Sequence, residues 1–172
     1  MPSSSLSGSI RPAYSSWPQH NARLREVVAG LSEAELALRP GPERWPIRAS
    51  IGHVACQRVF WLCDFAGAPG VETTPFPDAG NNCPGDDDLE TVWPADQLAE
   101  ALDSTFRIVE ACLDRWTLPM LDEVIRRPDY GEDWVHTRGA VIQRCFAHDV
   151  SHISELNDIL GRAGLIQVDL WS

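Results

Sequence analysis

Two histidines, His148 and His152, stand four residues apart in a stretch with the apolar spacing of a long helix. Side chains at this spacing lie one above the other on the same helix face, with Cβ atoms about 5–6 Å apart. Both imidazoles can therefore reach one metal ion. Two ligands rarely make a good site, so the fold must bring a third ligand against this helix.

Four segments of the chain have the spacing of apolar residues that is typical of helices. They run from about 12 to 30, 46 to 66, 94 to 116 and 137 to 163. The second is apolar nearly all round, which predicts a central helix. Residues 67–93 are rich in Gly, Pro, Asn and Asp, so we expect a long irregular loop after it. Four long helices in one compact unit predict an all-α four-helix bundle.

Shorter features complete the expected domain. Residues 1–11 have no helical pattern and are expected to form a disordered tail, followed by a single domain over residues 12–172. Ser32 and Glu35 form the pattern of a capping box at the start of a short additional helical turn. Residues 123–126 are a candidate short strand.

Composition narrows the class of partner and the compartment. The net charge is −11 without any basic stripe, which argues against nucleic acid and anionic membranes as partners. No apolar run approaches the roughly 18–20 residues that span a bilayer, and the N-terminus lacks the pattern of a signal peptide. The five cysteines include no Cys-x-x-Cys pair, which favours reduced thiols. We therefore expect a cytoplasmic protein.

The third histidine of interest is His53, in the middle of the second helical segment. A polar ring on an apolar helix face costs free energy unless its nitrogens are satisfied. A divalent ion bound by His53, His148 and His152 satisfies all three rings. Three neutral imidazoles suit Zn, Ni or Fe(II), and they leave coordination positions for water or substrate. The alternatives are a hydrogen-bonded core histidine at 53 and a solvated pair at 148 and 152.

Glu155 lies on the same predicted face as the two histidines of the last helix. It is a candidate for proton transfer or for orienting a ligand, and a solvated carboxylate is the alternative. Asp149 follows His148, where a zincin protease has Glu, so the motif does not indicate a protease of that class.

The remaining candidate ligands are predicted to have structural roles. Cys56 and Cys145 are expected to be small core residues, and the alternative is that they are ligands in a closed structural metal site. His20 and His136 have no partner at a useful spacing and are expected at the surface. The acidic run at 86–88 lacks the spacing of a calcium-binding loop and is expected to be a solvated loop.

Two segments resemble the DinB/YfiT-like proteins. Arg39 to Val54 reads RPGPERWPIRASIGHV, and residues 148–156 within the last helix read HDVSHISEL. The resemblance implies an up-down-down-up four-helix bundle, frequent homodimers, and a divalent metal held by three histidines, which correspond to His53, His148 and His152. The chain departs from common members at Ser151, where a second histidine is frequent, and at 153–154, where Arg-Gly is common.

The same resemblance suggests an activity. Members with assigned chemistry are transferases and isomerases that use bacillithiol, mycothiol or glutathione. The hypothesis is therefore a metal-dependent, transferase-like enzyme that activates a low-molecular-weight thiol for attack on a small electrophile. The electrophile is expected to enter near the 67–93 loop. The alternatives are a non-enzymatic metal- or ligand-binding bundle and a metal-assisted hydrolase.

Overall fold

The computed structural model describes residues 8–171 as a mostly helical protein. The segment of the chain that connects the last two helices forms a two-stranded antiparallel sheet. The helices of the described part are α1 (Trp17–Ala29), α2 (Glu33–Leu36), α3 (Ile47–Val59), α4 (Ala95–Arg115) and α5 (Arg138–Arg162), and the strands are β1 (Val124–Arg126) and β2 (Val135–Thr137).

The starts of these helices follow from the local sequence. Ser32 and Glu35 form the expected capping box at α2, in which each side chain bonds to the backbone N–H of the other residue. Thr137 accepts a hydrogen bond from the Ala140 N–H and caps α5. Ser16 precedes α1 without a side-chain cap, and a proline in the first turn begins that helix instead.

Helix α3 is the central helix that its sequence predicts. Ten of its thirteen residues are buried, and it packs on both α4 and α5. The helical path continues through a π-helical turn at Phe60–Phe65, which widens the end of the helix. The predicted end near residue 66 is therefore confirmed, whereas the π turn has no signal in the pattern of apolar residues. Gly67, with a φ of 72°, ends the segment.

A buried ion pair joins the long helices. Arg58 on α3 and Asp149 on α5 are each 1% exposed, and Asp149 Oδ2 lies 3.0 Å from Arg58 Nε and 2.7 Å from Nη2. The same oxygen accepts a 2.7 Å hydrogen bond from the Trp17 indole on α1. Arg58 Nη1 also donates to the Leu102 carbonyl on α4, at 3.2 Å. One cluster of polar contacts thus fixes four helices relative to one another.

The segment between α4 and α5 contains the predicted short strand. β1 pairs with β2, and Ile125 lies opposite His136 in the register. His136 is half-buried and packs against Trp61 and Phe65, with ring centroids 5.5 and 5.3 Å away. The expectation that His136 lies at the surface is therefore wrong, because its ring completes an aromatic cluster between the hairpin and the π turn.

His20 also differs from expectation. It is buried against the last residues of the chain, where its Nε2 lies 3.1 Å from the Leu170 carbonyl. Asn157 on α5 makes two hydrogen bonds to the backbone of Val168 and holds the same terminal segment. The helical pattern of α1 carries no information about this segment, so His20 could not be assigned to the core from spacing alone.

Residues 9–11, which were assigned to the expected tail, contact the folded part of the chain. Residues 1–7 lie outside the described part of the chain, but the next residues pack against the end of α4. The Ile10 N–H donates to the Trp116 carbonyl at 3.0 Å, and Arg11 forms an ion pair with Asp114. Ile10 is buried as well, so this apolar residue anchors a segment that composition alone assigned to the tail.

Two further expectations agree with the structure. Residues 67–93 contain only short turns, with a 3₁₀ turn at Val71–Thr73 as their one helical element, and thus form the long irregular loop after the second long helix. Within residues 8–171, no helix has both the length and the apolar character required to cross a membrane.

Replacing Asp149 with alanine is expected to lower the free energy of unfolding by about 3–5 kcal/mol, because Arg58 is then buried without its counter-charge. Urea denaturation measures this loss. The control is Asp103→Ala, which removes a surface carboxylate paired with Arg107 and should cost less than about 1 kcal/mol. Equal losses for the two variants would contradict a structural role for the buried pair.

Candidate metal centre

The three predicted histidines meet between α3 and α5. One ring nitrogen from each of His53, His148 and His152 lies within 4.8 Å of the other two. His53 Nε2 and His148 Nε2 are 3.1 Å apart. The structure thus brings together the three histidines that the sequence analysis selected as candidate ligands. One helix supplies two of the rings and the central helix supplies the third, so the packing of α3 on α5 creates the cluster.

The long loop fixes the ring of His53. The Pro84 carbonyl oxygen lies 3.1 Å from Nδ1, and a carboxylate oxygen of Asp86 lies 3.6 Å from the same atom. A carbonyl oxygen can only accept, so Nδ1 carries the proton in this contact. The other nitrogen, Nε2, then presents its lone pair toward His148. This is the arrangement in which a backbone carbonyl orients a metal-binding histidine.

Two glycines allow the loop to approach so closely. A Cβ on Gly52 of α3 would lie 2.9 Å from the Pro84 side chain. Gly85 has a φ of 88° and its backbone lies against the Trp45 ring, where a Cβ would come within 2.7 Å. Side chains at these positions would push the loop away from His53.

The acidic run at 86–88 shapes this turn instead of being only a solvated loop. Asp87 accepts a 2.8 Å hydrogen bond from the Cys83 N–H, and one oxygen of Asp88 accepts from the N–H groups of Glu90 and Thr91. Asp86 remains half exposed beside His53. The expectation for this run was therefore incomplete, because its role depends on backbone contacts that spacing does not encode.

His152 has a carboxylate neighbour at its outer nitrogen. Glu155 Oε2 lies 3.0 Å from His152 Nδ1, but the contact is too poorly aligned to count as a hydrogen bond. The Glu155 side chain is 50% exposed, and its other oxygen lies 3.8 Å from the Arg44 guanidinium. Glu155 therefore stands at the solvent edge of the cluster, between a candidate ligand and a cation.

The electrostatics of the cluster favour neutral rings. Burial is the main cause that lowers the pKa of His148 to about 3, and the charges of His152 and His53 lower it further. Burial also lowers the pKa of His152, again with a contribution from His53. Neutral imidazoles are the form that binds a metal ion. The donor set therefore fits a divalent ion, and its three nitrogens could hold one.

A pocket of about 630 Å³ reaches the cluster at His152. Its walls come from residues 40–50 and 155–162, with Trp45 on one side and the charged groups of Arg44 and Glu155 at the edge. Trp45 stacks on His152 with ring centroids 6.5 Å apart. The electrophile was expected to enter near the 67–93 loop, but that loop covers His53, and the pocket lies on the side of His152.

Two cysteines belong to the surroundings of His53. Cys83 Sγ lies 3.9 Å from His53 Nδ1 and receives a contact from the Gln57 amide at 3.7 Å. A hydrogen bond with the Cys56 thiol, more than any other influence, lowers the pKa of Cys83 to about 6. The same contact raises the pKa of Cys56. Cys56 and Cys145 are buried as expected, whereas no sequence signal linked Cys83 to His53.

The fold and the cluster define a helical protein with a three-histidine site that a metal ion could occupy. The chain belongs to the DinB superfamily, whose family model matches residues 17–156 and so includes all three histidines. This confirms the resemblance seen in the sequence.

Two solved structures have a similar fold. A DinB-like protein from Bacillus cereus ATCC 10987 has a TM-score of 0.68 at 16% identity, covering 94% of this chain and 96% of its own. A conserved protein from Enterococcus faecalis has a TM-score of 0.66 at 16% identity, covering 90% of this chain and 98% of its own. At this identity they support the fold alone. A comparison with curated protein sequences finds no match.

The metal-free protein is expected to lose stability as the pH falls from about 6.5 toward 3. The unfolded chain protonates His148 near its ordinary pKa of about 6.5, whereas the folded chain does so near 3. Protons therefore favour unfolding in this interval, by up to about 1.4 kcal/mol per pH unit from this residue. Urea denaturation at a series of pH values measures the slope.

The control for this prediction is His148→Gln, whose side chain does not titrate. Its free energy of unfolding should fall less steeply between pH 7 and pH 5 than that of the parent. Identical slopes for the two metal-free proteins would mean that His148 is not protected from protonation in the folded state.

Proposed function

We propose that the protein is a metal-dependent, transferase-like enzyme that activates a low-molecular-weight thiol for attack on a small electrophile. The observation that carries the proposal is the convergence of three histidine nitrogens beside an open pocket. The thiol would be of the bacillithiol, mycothiol or glutathione type, as in the members with assigned chemistry that the sequence resembles. A site sealed by further protein ligands would instead favour a structural ion.

His53, His148 and His152 would hold a divalent ion, for which Zn, Ni and Fe(II) are the candidates. When bound, such an ion lowers the pKa of a coordinated thiol and so makes a thiolate available at neutral pH. Burial lowers the pKa of His148 and of His152, which favours the neutral form of these two rings. Pro84 holds the proton of His53 on Nδ1, which leaves Nε2 free to act as a ligand.

The pocket would bind the two organic reactants. Its volume of about 630 Å³ lies within the range of about 300–1,000 Å³ that is usual for small-molecule sites. Trp45 offers an apolar wall next to His152. Arg44 offers a guanidinium, which can pair with a carboxylate on either reactant. The reactants would thus be oriented by one apolar and one charged side.

Glu155 is the proposed proton acceptor. It lines the pocket, contacts His152 and is half exposed, so an incoming thiol can reach its carboxylate. The guanidinium of Arg44 lies 3.8 Å from the other oxygen of this carboxylate, at the edge of the pocket. The same position would allow Glu155 to hold the His152 ring, and the variant described below separates the two roles.

The proposal includes three broader features. We propose the up-down-down-up order of helices and a homodimer, both implied by the sequence resemblance. We also propose a cytoplasmic location, since all five cysteines are free thiols and a reducing compartment preserves them. Sedimentation velocity on the purified chain tests the oligomeric state.

Protein purified without a chelator or a nickel column is expected to contain about one divalent ion per chain, with most of it lost in His148→Ala. Loss of one ligand should weaken binding strongly, since changes to the groups around ligands alone cost about 10–100-fold. Elemental analysis identifies the metal and its stoichiometry. His136→Ala is the control, because His136 packs in the aromatic cluster away from the three rings. Full metal content in His148→Ala would rule out the three-histidine site.

Metal-loaded protein is expected to conjugate a thiol from a panel of bacillithiol, mycothiol and glutathione to a small electrophile. Glu155→Gln should lower kcat by about 10²–10⁴-fold if it accepts the proton, with the metal content unchanged. Glu43→Gln, another carboxylate of the pocket wall, is the matched control.

The outcomes of this assay separate the candidate functions. Loss of metal together with activity in Glu155→Gln would indicate that the carboxylate positions His152. Turnover without any thiol would favour the metal-assisted hydrolase. A metal-loaded protein that acts on no combination of thiol and electrophile would favour the non-enzymatic binding protein.

A further inference from the structure

Trp45 contacts two of the three candidate metal ligands. Its ring centroid lies 4.9 Å from that of His53, with the ring planes at 60°, and 6.5 Å from that of His152, with the planes at 13°. The three imidazoles contact one another as well, with centroids between 4.4 and 5.2 Å apart. An indole N–H only donates, so Trp45 cannot itself be a ligand. It is therefore a neighbour that packs on the ligands.

The indole of Trp45 is enclosed by three parts of the fold. Trp45 lies two residues before Ile47, the first residue of α3, and it is half-buried. His152, on which it stacks, belongs to α5. The turn of the long loop packs on it as well, since a Cβ on Gly85 would lie 2.7–2.9 Å from three atoms of its six-membered ring. The ring therefore has little freedom to turn.

His152 has no hydrogen bond that fixes the angle of its ring. The Pro84 carbonyl lies 3.1 Å from His53 Nδ1 and orients that ring. In contrast, His152 Nδ1 is buried and has no hydrogen-bond partner within residues 8–171. Rotation of an imidazole about χ2 is soft, with broad minima. The angle of the His152 ring is therefore set by the groups that pack against it, and the nearly parallel ring of Trp45 is one of them.

We propose that Trp45 is a positioning residue of the metal centre, and that its flat ring holds the imidazoles of His152 and His53 at the angles that bind a divalent ion. This inference rests on the proposed function, because it requires an ion on the three histidines. A binding geometry is kept only when the surrounding packing confines the ligands to within about 0.5 Å and 10–20°. One rigid ring in contact with two ligands restricts both of them. Without that ring, the nitrogen donors remain but the imidazoles can turn.

The alternative is that Trp45 only fills space. It lines the pocket of about 630 Å³, and any apolar side chain of similar size could form a wall there. The two roles make different demands on the side chain, because filling requires volume whereas orientation requires a flat face. Trp45→Leu retains an apolar side chain but removes the flat face, and Trp45→Phe retains a flat aromatic ring. The comparison of these two variants therefore separates the roles.

The test uses the full chain, freed of metal by a chelator and shown by circular dichroism to be folded. Zinc affinity is measured by competition with a chromophoric chelator. We expect Trp45→Leu to bind zinc about 10–100-fold more weakly than the parent, as for other changes to the groups around metal ligands. Trp45→Phe should recover most of the affinity.

Cobalt(II) in place of zinc adds a spectroscopic measurement, because its visible absorption depends on the coordination geometry. At saturating cobalt, the absorption bands of Trp45→Leu should differ from those of the parent, whereas those of Trp45→Phe should resemble them. A loss of stability alone would not move the bands of the protein that remains folded.

Trp93→Leu is the matched control. Trp93 is half-buried like Trp45, but it packs on Phe76, with ring centroids 5.6 Å apart, instead of on the ligand rings. This variant loses an indole of the same size, so its zinc affinity and cobalt spectrum should match those of the parent. If Trp45→Leu does not fold, Trp45→Met, which also lacks a flat ring, takes its place in the comparison.

The outcomes distinguish this inference from the proposed function. A parent protein that binds zinc, together with equal zinc affinities and cobalt spectra in Trp45→Leu and Trp45→Phe, would overturn the inference and leave the metal centre intact. An equal loss of affinity in Trp93→Leu would overturn it as well, since the effect would then not depend on contact with the ligand rings. A parent protein that binds no zinc would overturn the proposed function and the inference with it.

Discussion

The buried ion pair between Arg58 and Asp149 is the contact on which the rest of the structure depends. Two charges that are almost completely removed from water tolerate little change in geometry, because any separation leaves a charge without compensation. Asp149 adjoins His148 in the chain, and Arg58 lies one and a half turns beyond His53 on the central helix. The pair therefore sets the depth at which α3 meets α5, and so brings three rings to one point. The indole of Trp17 adds the first helix to the same arrangement.

Much of this arrangement was predictable because it follows from local spacing. The interval between His148 and His152 fixes their common face, and the uniformly apolar second segment identifies the central helix. The capping box at Ser32 and the start of α5 at Thr137 follow from side chains that bond to neighbouring N–H groups. The inclusion of His53 was supported by the family resemblance, since spacing within a helix does not reveal what another helix places opposite it.

The parts that were not predictable depend on contacts distant in the chain or on backbone atoms. The carbonyl of Pro84 contacts His53 Nδ1. Every residue has a backbone carbonyl, so the sequence does not show which one a histidine will contact. Cys83 gave no sign of its contact with His53, because the two residues lie 30 positions apart in the chain. The approach to the cluster was placed on the wrong side for a similar reason. The polar composition of residues 67–93 suggested that the substrate enters there. In the structure, the tight turn of this loop packs over the His53 ring.

The π turn at Phe60–Phe65 has a consequence for how the family can vary. A π turn accommodates one residue more than an α-helix of the same rise, and it lies after both His53 and Arg58. An insertion or deletion absorbed here leaves the first part of the helix in register with α5 and re-aims only Trp61, Phe65 and the rings that contact them. Changes in chain length at this point would therefore remodel the aromatic face beside the hairpin while the histidine cluster keeps its geometry. Relatives that differ by a single residue in this segment would be expected to share one centre and to differ in the surface around it.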